Sequence, residues 1–283
     1  MNSMEKIRLG EIKFTNVWPV FHYFPSARFE DWLEVIAMKP TGLNTAMAIG
    51  EIDVAPISSF AYAEQSEKLL LLPHLSVSAF NHVHSILLFH KVPLEQLDGK
   101  TISLTNTSAT SVHLLKIILE HFVGIKPSYE TTAPNLSQMM EKTEAALLIG
   151  DDAIQANREN HGQYLVTDLA DAWNAFTGLG MTFAVWAVRE EIAIQYPDEI
   201  NQIYNAFQES KRKGLSDLEP IIQRAQAQIG GSAAYWTNYF RTLSYDFDEE
   251  QQKGLQLYFQ LAYELGLLPH PITIRFWPTI KEN

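Results

Sequence analysis

Short apolar runs alternate with amphipathic stretches over the first two thirds of the chain. Runs with the composition of β-strands occur at 7–14, 52–55, 76–80, 83–89, 101–104, 145–149 and 182–188. Beyond about residue 190 the pattern becomes helical almost to the end, over 197–213, 216–229, 232–242 and 248–265. Strands that alternate with helices and then give way to helices predict an α/β body with a helical C-terminal segment.

Local signals place the ends of individual helices. Apolar side chains recur at three- and four-residue steps after Ser108, and Gly124 follows the last of them, which predicts a helix between these two residues. Thr41 and Gly50 flank a shorter predicted helix, with Thr41 as its N-cap. Asp168 has the side chain of an N-cap for the helix that follows it.

Length and composition limit the number of domains, the kind of partner and the kind of chemistry that the protein can have. The 283 residues are about twice the usual size of one domain, so we expect two lobes or one large domain. A net charge of -12 argues against nucleic acid or an anionic membrane surface as the main partner. The absence of cysteine excludes disulfides, thiolate metal sites and a cysteine nucleophile. Since no leader-like segment precedes the first strand and no apolar run approaches ~18 residues, a cytoplasmic protein is expected.

Four polar segments follow strand-like runs and lead into helices. A helix that begins at the carboxyl end of a strand offers unpaired N–H groups to an anion, and hydroxyl side chains add further donors. No Lys or Arg occurs in these segments, so they predict a site where neutral groups hold a small anion. The alternative is that these segments are ordinary N-caps and turns. This alternative is weakest for 105–111, where five of the seven residues carry hydroxyls, more than one cap requires. The other segments are 15–19, 55–59 and 148–152.

Two further pairs of residues have both a functional and a structural interpretation. His82 and His84 would share one face of a strand, a spacing found in metal sites, but no third ligand is evident and a structural or surface role is expected. Asp151 and Asp152 would suit a metal or a general base, although caps and hinge contacts are the commoner roles. Motifs for dinucleotides, nucleotide phosphates, serine hydrolases and zinc proteases do not occur. We therefore expect neither a cofactor nor a metal.

Taken together, these segments resemble the chorismate dehydratase family of the futalosine route to menaquinone, over most of residues 7–190. The most specific parts are the Ser-Ala-Thr-Ser and Ile-Gly-Asp segments, in this order and at this spacing. The landmarks are Asn16-x-x-Pro19, Gly50 through Ser59, Val83-x-Ser85, Ser108-Ala-Thr-Ser111, Leu147 through Asp151, Asp168 through Trp173, Thr177-Gly178 and Phe183 through Trp186.

The resemblance implies a fold like that of the type-II periplasmic binding proteins, in which two α/β lobes enclose a ligand cleft. We expect lobe one to comprise 1–92 and 188–283, including the C-terminal helices, and lobe two to comprise 93–187. The chain would cross between the lobes at 91–93 and at 188–189, and these two crossings would form the hinge.

The activity that the resemblance implies is that of a carbon–oxygen lyase. Chorismate would lose its C4 hydroxyl and C3 proton as water, giving 3-[(1-carboxyvinyl)oxy]benzoate in menaquinone biosynthesis. Asn16 matches the Asn-x-x-Pro landmark and is the expected catalytic residue, orienting the substrate, because a neutral amide is a poor base. A substrate carboxylate would then be the base, with Asp151 or His84 as the other candidates.

Chorismate is a compact dicarboxylate, so the site needs two clusters of donors, one from each lobe. The turn from Ser108 to Ser111 is expected to hold one carboxylate, and serines 58, 59 and 85 the other carboxylate or the hydroxyl. The full set of expected substrate-binding residues is Ser58, Ser59, Ser85, Thr105, Ser108, Ala109, Thr110, Ser111, Gly150 and Asp151.

Two other functions stay open at this stage. The sister enzyme of the same route, which forms 1,4-dihydroxy-6-naphthoate, shares the fold but usually opens with Ser-Pro and Pro-Asn-Asp segments, unlike 15–19. A non-catalytic cytoplasmic protein that binds a small carboxylate would use the same cleft. The expected partner is a small dicarboxylate rather than nucleic acid or a membrane, and the sequence leaves the oligomeric state open.

Overall fold

The computed structural model describes residues 6–278, which form two mixed β-sheets with helices packed around them. Strands and helices are interspersed, as the pattern of apolar runs predicts. In chain order the strands are β1 Ile7–Ile12, β2 Leu33–Met38, β3 Val54–Ser58, β4 Leu69–Ala79, β5 Ile86–His90, β6 Thr101–Thr105, β7 Ser128–Thr132, β8 Ala145–Ile149, β9 Leu165–Asp168, β10 Met181–Arg189 and β11 Leu243–Ser244.

The helices follow the strands closely and then fill the C-terminal part of the chain. The four helices after residue 196 match the predicted spans to within a few residues. In chain order the helices are α1 Trp18–Phe21, α2 Pro40–Ala48, α3 Ser59–Glu64, α4 Thr110–Lys116, α5 Leu136–Lys142, α6 Gly150–Glu159, α7 Leu169–Thr177, α8 Glu190–Gln195, α9 Pro197–Ser216, α10 Glu219–Ile229, α11 Ala233–Thr242 and α12 Glu249–Glu264.

The first sheet has the strand order β11-β4-β10-β3-β1-β2. Its strands β1, β2 and β3 run parallel, while β10 is antiparallel to both β3 and β4. Every residue of β3 is buried, as expected for a central strand that is covered on both faces. The parallel strands place their carboxyl ends along one edge of this sheet.

The second sheet has the strand order β7-β6-β8-β5-β9. Strand β6 runs parallel to both β7 and β8, whereas β5 is antiparallel to β8 and β9. Strands β5 and β8 are buried along their whole length. The carboxyl ends of β6 and β8 therefore also lie side by side.

The chain crosses between the sheets at 80–85, the first crossing, and at 178–180, the second crossing. Strand pairing thus corrects the expected boundaries of 1–92, 93–187 and 188–283. Strand β5 pairs with β8 in the second sheet, and β10 pairs with β3 and β4 in the first. The crossings at 91–93 and 188–189 were misplaced because apolar runs show where strands lie but not which neighbours they pair with.

Helix ends follow the sequence signals in most places. The helix after Ser108 begins at residue 110, continues beyond α4 in π-helical form and ends at Gly124, whose φ is 78°. Asp168 caps α7, accepting hydrogen bonds from two backbone N–H groups. Thr41 is not an N-cap, because α2 already begins at Pro40; proline suits this first position, where no N–H is needed.

The C-terminal helices pack closely on both crossings and on the first sheet. A Cβ on Gly254 of α12 would overlap the carbonyl oxygen of Gly180, so the helix backbone contacts the second crossing directly. A Cβ on Gly214 of α9 would likewise overlap the carbonyl oxygen of Pro19. Glycine is needed at both positions because two backbones approach each other. Within 6–278 no helix has the length and apolar character needed to cross a membrane.

Candidate functional site

The polar segments meet in a cavity between the two sheets. Strands β1 and β3 are parallel neighbours in the first sheet, and β6 and β8 are parallel neighbours in the second. Their carboxyl ends are where an open α/β sheet binds ligands. The residues that line the cavity are Ile12, Phe14, Asn16, Pro40, Ser58, Ser85, Ile86, Ser108, Ser111, Ile149, Gly150, Phe183 and Ala184.

The cavity is small and its lining carries no charged side chain. About 50 Å³ is open to the centres of water molecules, enough for roughly three or four waters. Polar groups come from both sheets, and Phe14 and Phe183 provide aromatic walls between them. The lining can therefore contact the apolar face of a ring and also donate hydrogen bonds to anionic groups at its edge.

Asn16 has the clearest unmet need for a ligand. It lies in the short 3-10 turn Thr15–Val17 that follows β1, and its Oδ1 atom is buried with no hydrogen-bond partner among residues 6–278. Leaving such an acceptor unpaired costs about 1–3 kcal/mol. Asn16 is one of the residues that line the cavity, and its buried amide oxygen without a partner is suited to accept a hydrogen bond from a ligand hydroxyl.

Asp151 holds the turn that carries Asn16, and it does not line the cavity. Its Oδ1 accepts hydrogen bonds from Thr15 Oγ1 at 2.6 Å and from Thr15 N at 3.3 Å. Burial raises the pKa of the Asp151 carboxyl, and the hydrogen bonds from Thr15 oppose that rise. The expected role of Asp151 as a direct ligand is replaced by a contact that joins the N-terminal turn of α6 to the end of β1.

Ser58 is arranged as a hydrogen-bond donor. Its Oγ accepts from Asn44 Nδ2 at 3.0 Å and from the N–H of Ala61 at 3.3 Å, which caps α3. A hydroxyl has two acceptor positions and one proton. Because both acceptor positions are used inside the protein, the Ser58 proton is left for the cavity.

Ser85 and the turn that begins at Ser108 supply the donors from the second-sheet side. Ser85 Oγ accepts from Tyr239 at 3.1 Å and donates to the carbonyl of Val83 at 3.2 Å. Ser108 Oγ accepts from the N–H of Ser111 at 3.0 Å, which stabilises the start of α4. The side chains of Ser85, Ser108 and Ser111 all belong to the lining.

Gly150 brings the backbone of α6 to the cavity wall. Its N–H donates to the carbonyl of Ser85 at 2.6 Å, and its φ is 59°. A Cβ at this position would lie 2.9 Å from the ring of Phe14, closer than side chains normally pack. Glycine is therefore required both by the backbone conformation and by the aromatic wall.

Four other expected binding residues lie outside the lining, because their polar groups are used within the protein. The Ser59 hydroxyl donates to the carbonyl of Thr182 at 2.8 Å, and Ser59 is fully buried. Thr105 bonds the hydroxyl of a neighbouring threonine at 2.7 Å. Thr110 Oγ1 accepts from a backbone N–H at 2.9 Å, and the Ala109 carbonyl accepts from the His113 ring at 2.8 Å.

His82 and His84 lie in the first crossing and not on a strand, which corrects the expected shared strand face. Their ring centres are 5.5 Å apart, and His82 Nδ1 is 3.9 Å from the carboxylate of Asp171. His84 contacts Asn238 at 3.5 Å, and burial lowers the pKa of its imidazole. In the described part of the chain, no group of three or more His, Asp or Glu side chains is placed to hold a metal ion.

The residues that sequence reasoning missed are mainly the apolar walls and the supports behind the serines. Phe14 directly precedes a polar turn, so its position in the chain was a usable signal, and Ile149 already lies within the predicted segment 148–152. Asn44 and Tyr239 contact Ser58 and Ser85 from distant segments, and no local pattern points to them.

Solved structures place the fold of this chain in a known class. The chain is similar to the periplasmic aliphatic sulphonate-binding protein SsuA of Escherichia coli, with a TM-score of 0.67 and 19% identity over 97% of this chain and 98% of that one. The alkanesulfonate-binding protein SsuA of Xanthomonas axonopodis gives a TM-score of 0.70 at 16% identity, over 97% and 98% of the two chains. A protein of Archaeoglobus fulgidus gives 0.72 at 20% identity, over 93% and 98%. The fold is that of the periplasmic-binding-protein class, as the resemblance predicts.

Sequence comparison then narrows the class to a family. A family model described as menaquinone biosynthesis matches residues 7–264. The chorismate dehydratase of Thermus thermophilus is 31% identical, over 95% of this chain and 98% of that protein. The 1,4-dihydroxy-6-naphtoate synthase of the same organism is 25% identical, over 96% and 100% of the two chains. The chain belongs to the menaquinone biosynthesis family, and the match extends through the C-terminal helices as well as the two sheets.

Proposed function

We propose that the protein is a chorismate dehydratase, a carbon–oxygen lyase that converts chorismate to 3-[(1-carboxyvinyl)oxy]benzoate and water. The observation that carries this proposal is the buried, unpartnered amide oxygen of Asn16, a residue that lines an uncharged cavity together with serines from the sides of both sheets. The 31% identity to a chorismate dehydratase over nearly the whole chain supports it.

Substrate binding would use the neutral donors in two groups. Ser108 and Ser111, at the start of α4, would take one carboxylate, and Ser58 and Ser85 the other carboxylate or the C4 hydroxyl. The aromatic rings of Phe14 and Phe183 would contact the faces of the cyclohexadiene. Neutral donors suit a small anion of fixed shape, since each hydrogen bond depends on direction more than on net charge.

The chemical step removes the C3 proton and the C4 hydroxyl and leaves an aromatic ring. As the C3–H bond breaks, negative charge spreads through the adjacent double bond to the ring carboxylate. Donors fixed on that carboxylate stabilise the transition state more than the ground state, which is what accelerates the step. Asn16 Oδ1 would accept a hydrogen bond from the C4 hydroxyl and so fix the orientation of the leaving group.

A carboxylate of the substrate itself is the base that the geometry favours. Asp151 is engaged with Thr15 and His84 contacts Asn238, and neither lines the cavity. The enolpyruvyl carboxylate would take the proton from C3 and pass it to the departing hydroxide, so that water leaves and no proton is gained or lost overall. The protein's part is to orient the substrate and exclude bulk water.

Entry of the substrate would require the sheets to move apart. The cavity has room for only a few waters, and contacts such as Thr15 to Asp151 bridge the two sheets around it. We propose that the first and second crossings act as the hinge between two lobes. A cytoplasmic location stays a prediction of the sequence.

The test is to incubate the purified protein with chorismate, without added cofactor, and to follow loss of the diene and the mass of the product. Formation of 3-[(1-carboxyvinyl)oxy]benzoate is expected. Tight binding of chorismate without conversion would instead favour a binding protein. The sister enzyme would leave chorismate unchanged; the lower identity of 25% to such an enzyme makes it the second candidate.

A further inference from the structure

The C-terminal helices place a tyrosine behind the cavity wall, in contact with one of the lining serines. Tyr239 on α11 is fully buried, and its hydroxyl donates to Ser85 Oγ at 3.1 Å. Trp236 packs edge-on against the Tyr239 ring at 5.5 Å, and Tyr235 stacks parallel to it at 6.3 Å. The phenol is therefore held in place on several sides, and its hydroxyl interacts with Ser85 of the cavity lining and with the side chain of Thr15, next to Asn16.

This contact decides which way the Ser85 hydroxyl can donate. A serine hydroxyl has a single proton, and Tyr239 occupies one of its two acceptor positions. In the structure the Ser85 proton goes to the carbonyl of Val83 over a long 3.2 Å contact. A bound carboxylate is a stronger acceptor than a backbone carbonyl, so the proton would turn to it while Tyr239 keeps donating. Two hydrogen bonds in series polarise and strengthen each other.

We propose that Tyr239 is a positioning residue of the site, which holds Ser85 so that its hydroxyl donates to the bound substrate. This inference rests on the proposed function, because it assumes an anionic ligand at Ser85. It gives the helices beyond residue 190 a part in the site, which they play through Ser85. Burial raises the pKa of the Tyr239 phenol, so the hydroxyl remains a donor at neutral and mildly alkaline pH.

The experiment is a double-mutant cycle on kcat/KM for chorismate with Tyr239→Phe, Ser85→Ala and the double variant. Tyr239→Phe removes only the hydroxyl and is expected to lower kcat/KM about tenfold. Ser85→Ala is expected to lower it about a hundredfold. If Tyr239 acts through Ser85 and not through its other partner Thr15, the double variant loses no more than Ser85→Ala alone, to within about twofold.

Tyr263→Phe is the matched control, because Tyr263 lies on α12 with 42% of its surface exposed and should leave kcat/KM unchanged. The inference about Tyr239 would be overturned if the double variant lost the product of the two single-variant losses in kcat/KM, or if Tyr239→Phe were as active as the control. Either result would leave the proposed function standing. An inert wild-type protein would overturn the proposed function and this inference with it. Should Tyr239→Phe fail to fold, 3-fluorotyrosine at position 239 keeps the ring and hydroxyl, and its effect must vanish when Ser85 is Ala.

Discussion

The turns at 15–19 and 105–111 are both predicted to bind the ligand, and the second is much richer in polar residues, but the structure uses them differently. The longer turn carries five hydroxyls, of which only Ser108 and Ser111 line the cavity, while the other three bond within the protein. The shorter turn places one amide, Asn16, in the lining, and its oxygen has no partner within the described residues.

The difference between the two turns shows that a dense run of hydroxyls can serve mainly to stabilise the turn that carries it. A turn with many exposed backbone groups needs side-chain partners to hold its own conformation, and most hydroxyls at 105–111 serve that purpose. A polar atom that is buried and left unpaired has no such structural role, and it costs stability until a ligand arrives. We therefore expect the short turn to dominate catalysis and the long turn to divide between binding and stability.

The largest expected effect is that of Asn16→Ala on turnover. Loss of the amide should lower kcat by about 10²–10³-fold while KM changes much less, because the leaving oxygen, protonated as it departs, donates to the Asn16 oxygen more strongly than the bound hydroxyl does. Steady-state kinetics with chorismate measure both constants. Asn106→Ala is the matched control, as Asn106 lies in the other turn with an exposed side chain. Equal losses in kcat and in binding would make Asn16 a general binding residue.

A second large effect is expected from Gly150→Ala, which tests how tightly the wall beside the short turn is packed. The new Cβ would meet the Phe14 ring at 2.9 Å in addition to the strain of a positive φ. Gly99→Ala is the control that measures the cost of the backbone conformation alone, because Gly99 has a φ of 66° and open space around it. Both should lose about 1–2 kcal/mol of unfolding free energy from the backbone, and Gly150→Ala about 1–3 kcal/mol more. Denaturant unfolding measures the difference in unfolding free energy between the two variants. Equal losses would show that the Phe14 ring moves aside for the added methyl group at little cost.

Within the long turn, Ser111→Ala and Thr105→Val should separate binding from stability. Ser111→Ala removes a cavity donor and is expected to lower kcat/KM at least tenfold with little change in unfolding free energy. Thr105→Val leaves the N–H of Thr107 unpaired and should cost about 1–3 kcal/mol of stability with KM unchanged. Kinetics and denaturant unfolding on both variants give the two readouts. A Thr105→Val protein with impaired binding and full stability would reverse the assignment.

The smallest expected effect concerns Asp151, the support of the short turn. Its pKa is raised in the folded protein by burial, so the folded state holds the proton to a higher pH than the unfolded chain does. Stability should therefore fall as pH rises from the ordinary carboxyl pKa through the raised one. Asp151→Asn keeps an oxygen to accept from Thr15 and should remove this part of the pH dependence. The measurement is the difference in unfolding free energy between wild type and variant across mildly acidic pH; a constant difference would contradict the assignment.

Much of the fold could be predicted because hydrophobic periodicity is local. The strands at 101–105 and 145–149 and the helices after residue 196 match the predicted spans closely, and Gly124 and Asp168 end and begin helices as expected. Strand pairing is not local. The assignment of β5 and β10 to the wrong halves of the molecule followed from that limit.

The site shows the same limit at the level of single side chains. Sequence pattern identified the turns that carry Asn16, Ser58 and Ser108, because a polar turn after a strand is a local feature. It could not show that Ser59 faces away from the cavity, since consecutive residues at a strand-to-helix junction point in different directions. Nor could it connect Tyr239 with Ser85, which lie 154 residues apart in the chain.

The most direct test of the central claim is a crystal structure of the Asn16→Ala protein with chorismate bound. If neutral donors from both sheets hold the substrate, one carboxylate will lie within hydrogen-bond distance of Ser108 and Ser111. The other carboxylate or the C4 hydroxyl will then contact Ser58 and Ser85. Chorismate bound elsewhere, or held by an Arg or Lys side chain, would contradict the claim.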